Sequence, residues 1–287
     1  MLHHDAAPLR VLYLGGSGTI SASCVRLSVE TGMRVAMLNR GRNEKDRPLP
    51  DGVEALVADV TDDAAVTAAI GDRTFDAVVN FLSYDAADAR RGFPLTVVRP
   101  SHTYDDANPP LPGGWTVVDR IARGAEVPVH GDGTSLWTLT HAEDFAQGLV
   151  GLLGNPRAIG ETFTITGSDV YTWDQIYTIV AEALGVAPRL VHVASELYPV
   201  VAPGWFWSGE VLGDIGHSAV FDTTKIRTFV PGFAPRLTFH RAASRMVAWR
   251  RDHPDTTTAD AATEAVLDRI VGAYHAAREV YRAWGAS

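Results

Sequence analysis

The residues best placed to do chemistry are Gly15-Gly16-Ser17-Gly18, with Thr19 and Ile20 behind them. They fall between an apolar run, Leu9 to Leu14, that reads as a buried strand, and a helical pattern from Ile20 to Glu30 that stops at Gly32. A tight turn needs one residue without a Cβ, and close approach of backbone to a diphosphate needs another. The helix behind the turn then presents its unsatisfied N–H groups and positive end. The chemistry this predicts is dinucleotide binding. At the end of the next strand stand Asn39 and Arg40, with Arg42 beyond. Asn39 can hydrogen-bond a ribose hydroxyl, and either arginine could pair with a 2′-phosphate. The expected cofactor is therefore NAD or NADP, with the local chemistry tipping towards NADP. Two rival motifs fail. A nucleophile elbow, G-x-S-x-G, needs glycine where Thr19 stands, and a Walker phosphate loop needs a lysine after the glycines.

Other side chains are weaker candidates. Tyr84 and Tyr104 each follow a strand and could serve as a makeshift catalytic acid, yet no lysine stands near either to lower its pKa, and lining or packing is the plainer role. His102 and His141 fall on cleft-side loops, and Trp137 on a strand between them; all three are candidate substrate contacts. Trp205-Phe206-Trp207 could stack on a sugar or base or cap a core. The ten histidines show no zinc-ligand spacing, so no metal site is expected. Cys24, inside the first helix, is expected to be buried.

These residues need elements to hold them. Strands are predicted at Arg34 to Leu38, Val53 to Ala58 and Phe75 to Phe81, with a short helix from Asp62 to Ile70. Strands spaced by helices imply parallel βαβ units and a doubly wound sheet. Later come helices at Trp115 to Ala122, Asp144 to Leu153 and Thr172 to Leu184, strands at Leu136 to Thr140 and Thr162 to Ile165, and a long amphipathic helix from Ala261 to Trp284. That last stripe is expected to pack on the body or on a dimer partner.

Composition sets the bounds. The chain has 287 residues, 46% hydrophobic and 21% charged, which is globular rather than disordered. No apolar run reaches the roughly 18–20 residues of a membrane span, and the start shows no signal peptide. A single cysteine fits a reducing, cytoplasmic setting. The net charge of −9, with Lys45 and Lys225 the only lysines, argues against nucleic acid as a partner.

Taken with later residues, the glycine turn resembles that of the extended and atypical short-chain dehydrogenase/reductases, the NAD-dependent epimerase/dehydratase group. The family turn T-G-x-x-G-x-x-G appears here as Leu14 to Ser21, with Ser21 at the third glycine. Asp59-Val60 matches the pair that holds the adenine, and Asn80-Phe81-Leu82 the strand end beside the cofactor. Val97-Val98-Arg99-Pro100 followed by Tyr104 resembles the segment near the nicotinamide. Leu136 to Asp144, Gly160 to Thr166 and Thr172-Trp173 resemble later strand and helix starts, so the likeness covers most of residues 9 to 190. The resemblance implies a Rossmann-type α/β domain over residues 1–104, completed by about 136–166, with a smaller mixed α/β substrate region over 105–287. It also implies NAD(P)-dependent hydride exchange on a nucleotide-sugar or related hydroxylated metabolite. The atypical branch includes proteins with RNA-related roles as well.

The family's acid/base pair, Tyr-x-x-x-Lys, has no match: among the eight tyrosines only Tyr274 has a base four residues on, and that base is Arg278. The strand ending near Phe81 and the one at Leu95 to Val98 are expected to be parallel neighbours. The stretch from Leu82 to Pro94 is barely long enough for the crossover this needs. Either the polypeptide is shortened near Ala89 to Gly92, or the residues around 90 and 91 are not contiguous and their Cα atoms lie well beyond about 3.8 Å apart. In the first case a catalytically silent cofactor-binding module is the alternative function.

Overall fold

The alternating patterns of the first hundred residues become β1 (Arg10–Leu14), α1 (Thr19–Glu30), β2 (Arg34–Asn39), β3 (Glu54–Val57), α2 (Asp63–Ile70), β4 (Ala77–Asn80) and β5 (Val97–Pro100). The chain continues through β6 (His102–Tyr104), α3 (Trp115–Ala122), β7 (Glu126–His130), β8 (Leu136–His141), α4 (Ala142–Leu152), β9 (Thr162–Ile165), β10 (Val170–Thr172), α5 (Trp173–Leu184) and β11 (Arg189–Val193). It ends in α6 (Tyr198–Val201), α7 (Phe206–Glu210), α8 (Thr224–Phe229), α9 (Phe239–Asp252) and α10 (Ala261–Gly285). The computed structural model describes residues 7–41, 48–82, 94–255 and 259–285. None of the helices described is long and apolar enough to cross a membrane.

The first unit comprises residues 1–103, 140–166 and 222–236. Its main sheet is parallel, in the order β3-β2-β1-β4. One face carries α1 and α4 over Val11, Tyr13, Val35 and Met37, and the same apolar cluster takes in Phe163 and Ile165 of β9. The other face carries α2, which covers Leu12, Leu38 and Leu56. Asp62 starts α2 by accepting from the backbone N–H groups of Ala64 and Ala65. The helix does not reach β4: Val78, paired with Leu12, is 52% exposed.

The expected pairing of the fourth and fifth strands is corrected by the structure. β5 pairs in parallel with β9, and β4 is the edge of its sheet among the described residues. A parallel neighbour for β4 needs a crossover as long as the strand plus its return, and the stretch from Leu82 to Pro94 is short for that. The β5–β9 pair instead joins the main sheet through shared apolar packing, with Val98 against the cluster that holds Val79 and Phe81. The test across residues 90 and 91, like Tyr84 and Arg42, lies outside the described residues.

The second unit comprises residues 104–139, 167–221 and 237–287. Here β7 and β11 pair in parallel and β8 pairs antiparallel with β10. Its core joins Trp137 and Trp173 to Ile176, Tyr177, Phe239, Met246, Leu267 and Ile270. Thr172 and Gln175 form a reciprocal cap at the start of α5, which Gly185 ends in a left-handed conformation. The division differs in three places from the boundaries read in the sequence: residues 222–236 fall in the first unit, and Tyr104 and Leu136 to Leu139 in the second.

Candidate functional site

The C-terminal ends of β1, β2, β3 and β4 lie along one edge of a parallel sheet. Leu14 pairs with Leu38 and Asn80, and Asn39 with Val57. The strand order reverses between β1 and β4, and in open α/β sheets ligands bind at that switch point. The glycine turn sits there. Gly15 donates its N–H to the Leu38 carbonyl at 3.0 Å and takes φ +76°. A Cβ on Gly15 would stand 2.8 Å from Leu82 Cδ2, and one on Gly16 would collide with Met37 Sδ. Both glycines are thus fixed by sterics.

Gly18 caps α1 with extended backbone and no side-chain acceptor, and the first turn of the helix holds no acidic residue. Its own N–H goes to Ser21 Oγ at 2.8 Å. Serine at the family's third glycine position therefore acts within the turn. The amide end of α1 keeps its positive character for an anion, which fits a diphosphate. Ser17, Thr19 and Ile20 stand around that end, with the Ile20 side chain packed into the core.

At the end of β2, Asn39 Oδ1 accepts the Gly41 N–H at 2.8 Å and Arg40 is exposed. At the end of β3, Asp59 Oδ1 accepts from both N–H and Oγ1 of Thr61, at 3.0 and 2.8 Å, and Val60 packs towards α2. Leu82 lies against Gly15. Phe81 is turned inward, its ring stacked on Tyr13 at 6.2 Å, so only its backbone is at the edge. Pro100 closes β5, on the separate strand pair.

Three sequence candidates are placed elsewhere. Tyr104 is 1% exposed in the core of the second unit, edge-on to Phe239 at 5.4 Å, which removes it as an acid facing the cofactor. Trp137 is 3% exposed in the same core, 6.1 Å from the Trp173 ring. His141 caps α4, its Nδ1 accepting the Glu143 N–H at 3.2 Å. Trp205 and Trp207 also pack against the second core, whereas Phe206 points outward. Cys24 is fully buried, as expected, and burial pushes its thiol up. No group of three or more metal-ligating side chains occurs among the described residues.

His102 stays beside the first unit's Ser101, whose Oγ lies 2.6 Å from Thr140 Oγ1. Burial holds its imidazole down at about 4, so it is neutral at pH 7. Sequence reasoning passed over His130, a buried histidine that bonds the Ile215 carbonyl at 3.0 Å and sits edge-on to Trp173. Burial lowers it from 6.5 to about 4. The unfolded chain takes up this proton below about pH 6.5, and the folded protein resists until about pH 4. Stability present above pH 6.5 is therefore lost as pH falls through that window, by about 3 kcal/mol for His130 alone. Urea unfolding at pH 7.5 and 4.5 should show the loss, and His130→Gln should flatten it. An unchanged slope in that variant would count against this origin.

No family model matches the chain. It is 26% identical to a 2′-dehydrokanamycin reductase of Streptomyces kanamyceticus over 296 aligned positions, covering 79% of this chain and 81% of the reductase. Since 296 exceeds the 287 residues present here, the alignment steps over positions of the reductase that have no counterpart in this chain. The chain spans 27%, 45% and 47% of three further curated relatives. Among solved structures it resembles a dTDP-glucose 4,6-dehydratase of Bacillus anthracis in complex with NAD, at TM-score 0.64 and 13% identity, over 86% of this chain and 98% of that one. It also resembles a UDP-glucose 4-epimerase of Thermotoga maritima with UDP-glucose, at TM-score 0.64 and 15% identity, over 86% and 100%. The fold is thus the Rossmann-type α/β fold of the NAD-dependent epimerases and dehydratases.

Proposed function

We propose that the first unit binds NAD or NADP. On this reading the chain is an oxidoreductase of the epimerase/dehydratase type, acting on a nucleotide-sugar or related hydroxylated small molecule. The observation that carries this is the amide end of α1, left without a side-chain cap behind two sterically fixed glycines, at the point where strand order reverses. The backbone N–H groups of the turn would hold the diphosphate, Asp59 the adenine end, and Asn39 with Arg40 the ribose. Arg40, exposed and cationic, favours NADP. When bound, the nicotinamide supplies hydride exchange, and the protein orients it and excludes water. The negative net charge supports a small-molecule substrate over nucleic acid, and the lone buried cysteine supports a cytoplasmic setting.

Thermal unfolding with NADPH and with NADH tests the binding step. At a hundredfold excess over Kd, stabilisation of about 2.7 kcal/mol is expected, several degrees in Tm, with NADPH ahead. No shift from either nucleotide would remove the reading.

A second reading rests on its own observation. The chain has no Tyr-x-x-x-Lys, and Tyr104 is in a core. A cofactor-binding module without turnover would show the same shift, yet no nucleotide-sugar would change the absorbance of the reduced nicotinamide. Hydride transfer with any of them would decide for the enzyme.

A further inference from the structure

α10 changes character halfway along. Val266, Leu267, Ile270 and Val271 are buried in the second unit's core or at its edge, and His275 reaches Glu126 at 2.7 Å. From residue 276 to residue 285 every position is exposed. The apolar spacing nonetheless runs on without a break. Leu267, Ile270, Tyr274, Ala277, Tyr281 and Trp284 follow one another three and four residues apart, the spacing that keeps side chains on one helix face. Beyond the body this face carries Tyr281, 68% exposed, Trp284, 69% exposed, and Val280, 50% exposed. The two aromatic rings meet edge-on at 5.9 Å.

We infer that the distal half of α10 is the interface on which two copies of this chain pair, helix against antiparallel helix about a twofold axis. The face is self-complementary in that arrangement. Ala277 and Trp284 lie on its centre line, two turns apart. With the axis passing between residues 280 and 281, each Ala277 faces the partner's Trp284. A small residue then stands opposite a large one at both ends, as interdigitating layers require. Val280 meets its own counterpart on one flank of the seam and Tyr281 on the other, as an isologous contact demands.

The size also fits a second copy. A buried aromatic side chain contributes about 150–250 Å², so two per copy, counted twice, give at most about 600–1,000 Å², the size of a weak, reversible interface. A reversible dimer at micromolar concentration is expected. A lipid surface fits less well. Helices that lie on membranes carry a strongly basic polar face, whereas here Glu279 stands between Arg278 and Arg282 and is ion-paired with Arg282 at 2.5 Å.

Sedimentation of the full chain across micromolar concentrations tests this, with circular dichroism to confirm that each variant is folded. Ala277→Trp and Trp284→Ala should each weaken self-association by at least ~30-fold, the scale of an interface hot spot. The double variant A277W/W284A should restore it, because small and large merely exchange places. In a variant with Ala277→Cys and Trp284→Cys, the two positions are about 10.5 Å apart along one helix, beyond the roughly 7 Å reach of a disulfide. Oxidation should therefore link two chains. A monomer throughout overturns the inference, as does a dimer indifferent to both single variants. So does a double variant as weak as the singles, or binding to phosphatidylserine vesicles by a chain that stays monomeric.

Discussion

Gly15→Val is expected to lower the affinity for NADPH by about 100-fold or more and to cost 1–3 kcal/mol of stability. Two effects combine. The position holds φ +76°, where a β-branched residue is strained whatever its surroundings, and the added side chain meets Leu82 at 2.8–2.9 Å from its first atom. Relief moves the turn, and with it the N–H groups that must converge on the diphosphate. Losing two such charge-assisted bonds, at about 1.5–3 kcal/mol each, gives the loss in affinity. Gly32→Ala separates strain from site. Gly32 has φ +84° with open space around the missing Cβ, and it ends α1 at the far edge of the sheet. It should cost stability and leave NADPH titration untouched. If Gly15→Val binds NADPH like the parent chain, the proposed cofactor site is wrong.

The elements that hold this turn were legible because their signals are local. An apolar run, a glycine cluster and a helical period set β1 and α1 within a residue of the expected bounds, and Asp62 and Thr172 announced their helices as caps. The side chains that the structure moved out of the candidate site depend on long-range facts. Trp137 stands opposite Tyr171 on an antiparallel neighbour, and a shift of one residue would turn it to the other face. Nothing in the sequence around Trp137 states that register. Tyr104 is buried by Phe239, more than a hundred residues on. His141 looked like a ligand contact because it reads as part of a cleft-side loop, yet the start of α4 at Ala142 gives its ring a capping role instead. The partner of β5 is β9, set by tertiary packing that local pattern does not carry. The same holds for the return of residues 222–236, which send Ile226 and Phe233 into the first core.

Arg120→Ala is expected to cost about 3–5 kcal/mol, close to 10 °C in Tm or more, without touching the candidate site. Arg120, on α3, is 4% exposed. Its guanidinium meets Glu264 and, at 2.7 Å, Asp268, both on α10, while its Nε donates to the Glu126 carbonyl at 2.5 Å. Glu264 also takes Arg123, and its second oxygen is buried with no bond. Removing the arginine strands a partly buried carboxylate and a strand carbonyl together, which costs more than the pair itself contributes. Arg250→Ala is the contrast. Arg250 reaches Asp119 at 3.2 Å with both side chains at least a fifth exposed, and the loss should be near 1 kcal/mol or less. Added salt should weaken the Arg250 contact and leave the Arg120 cluster almost unchanged. The decisive variant replaces the buried charges together, Arg120→Met with Glu264→Leu. If the penalty comes from charge left behind rather than from lost attraction, this chain should recover most of the stability that Arg120→Ala loses. A double variant no more stable than the single would instead mean that the attraction itself holds α10 against α3.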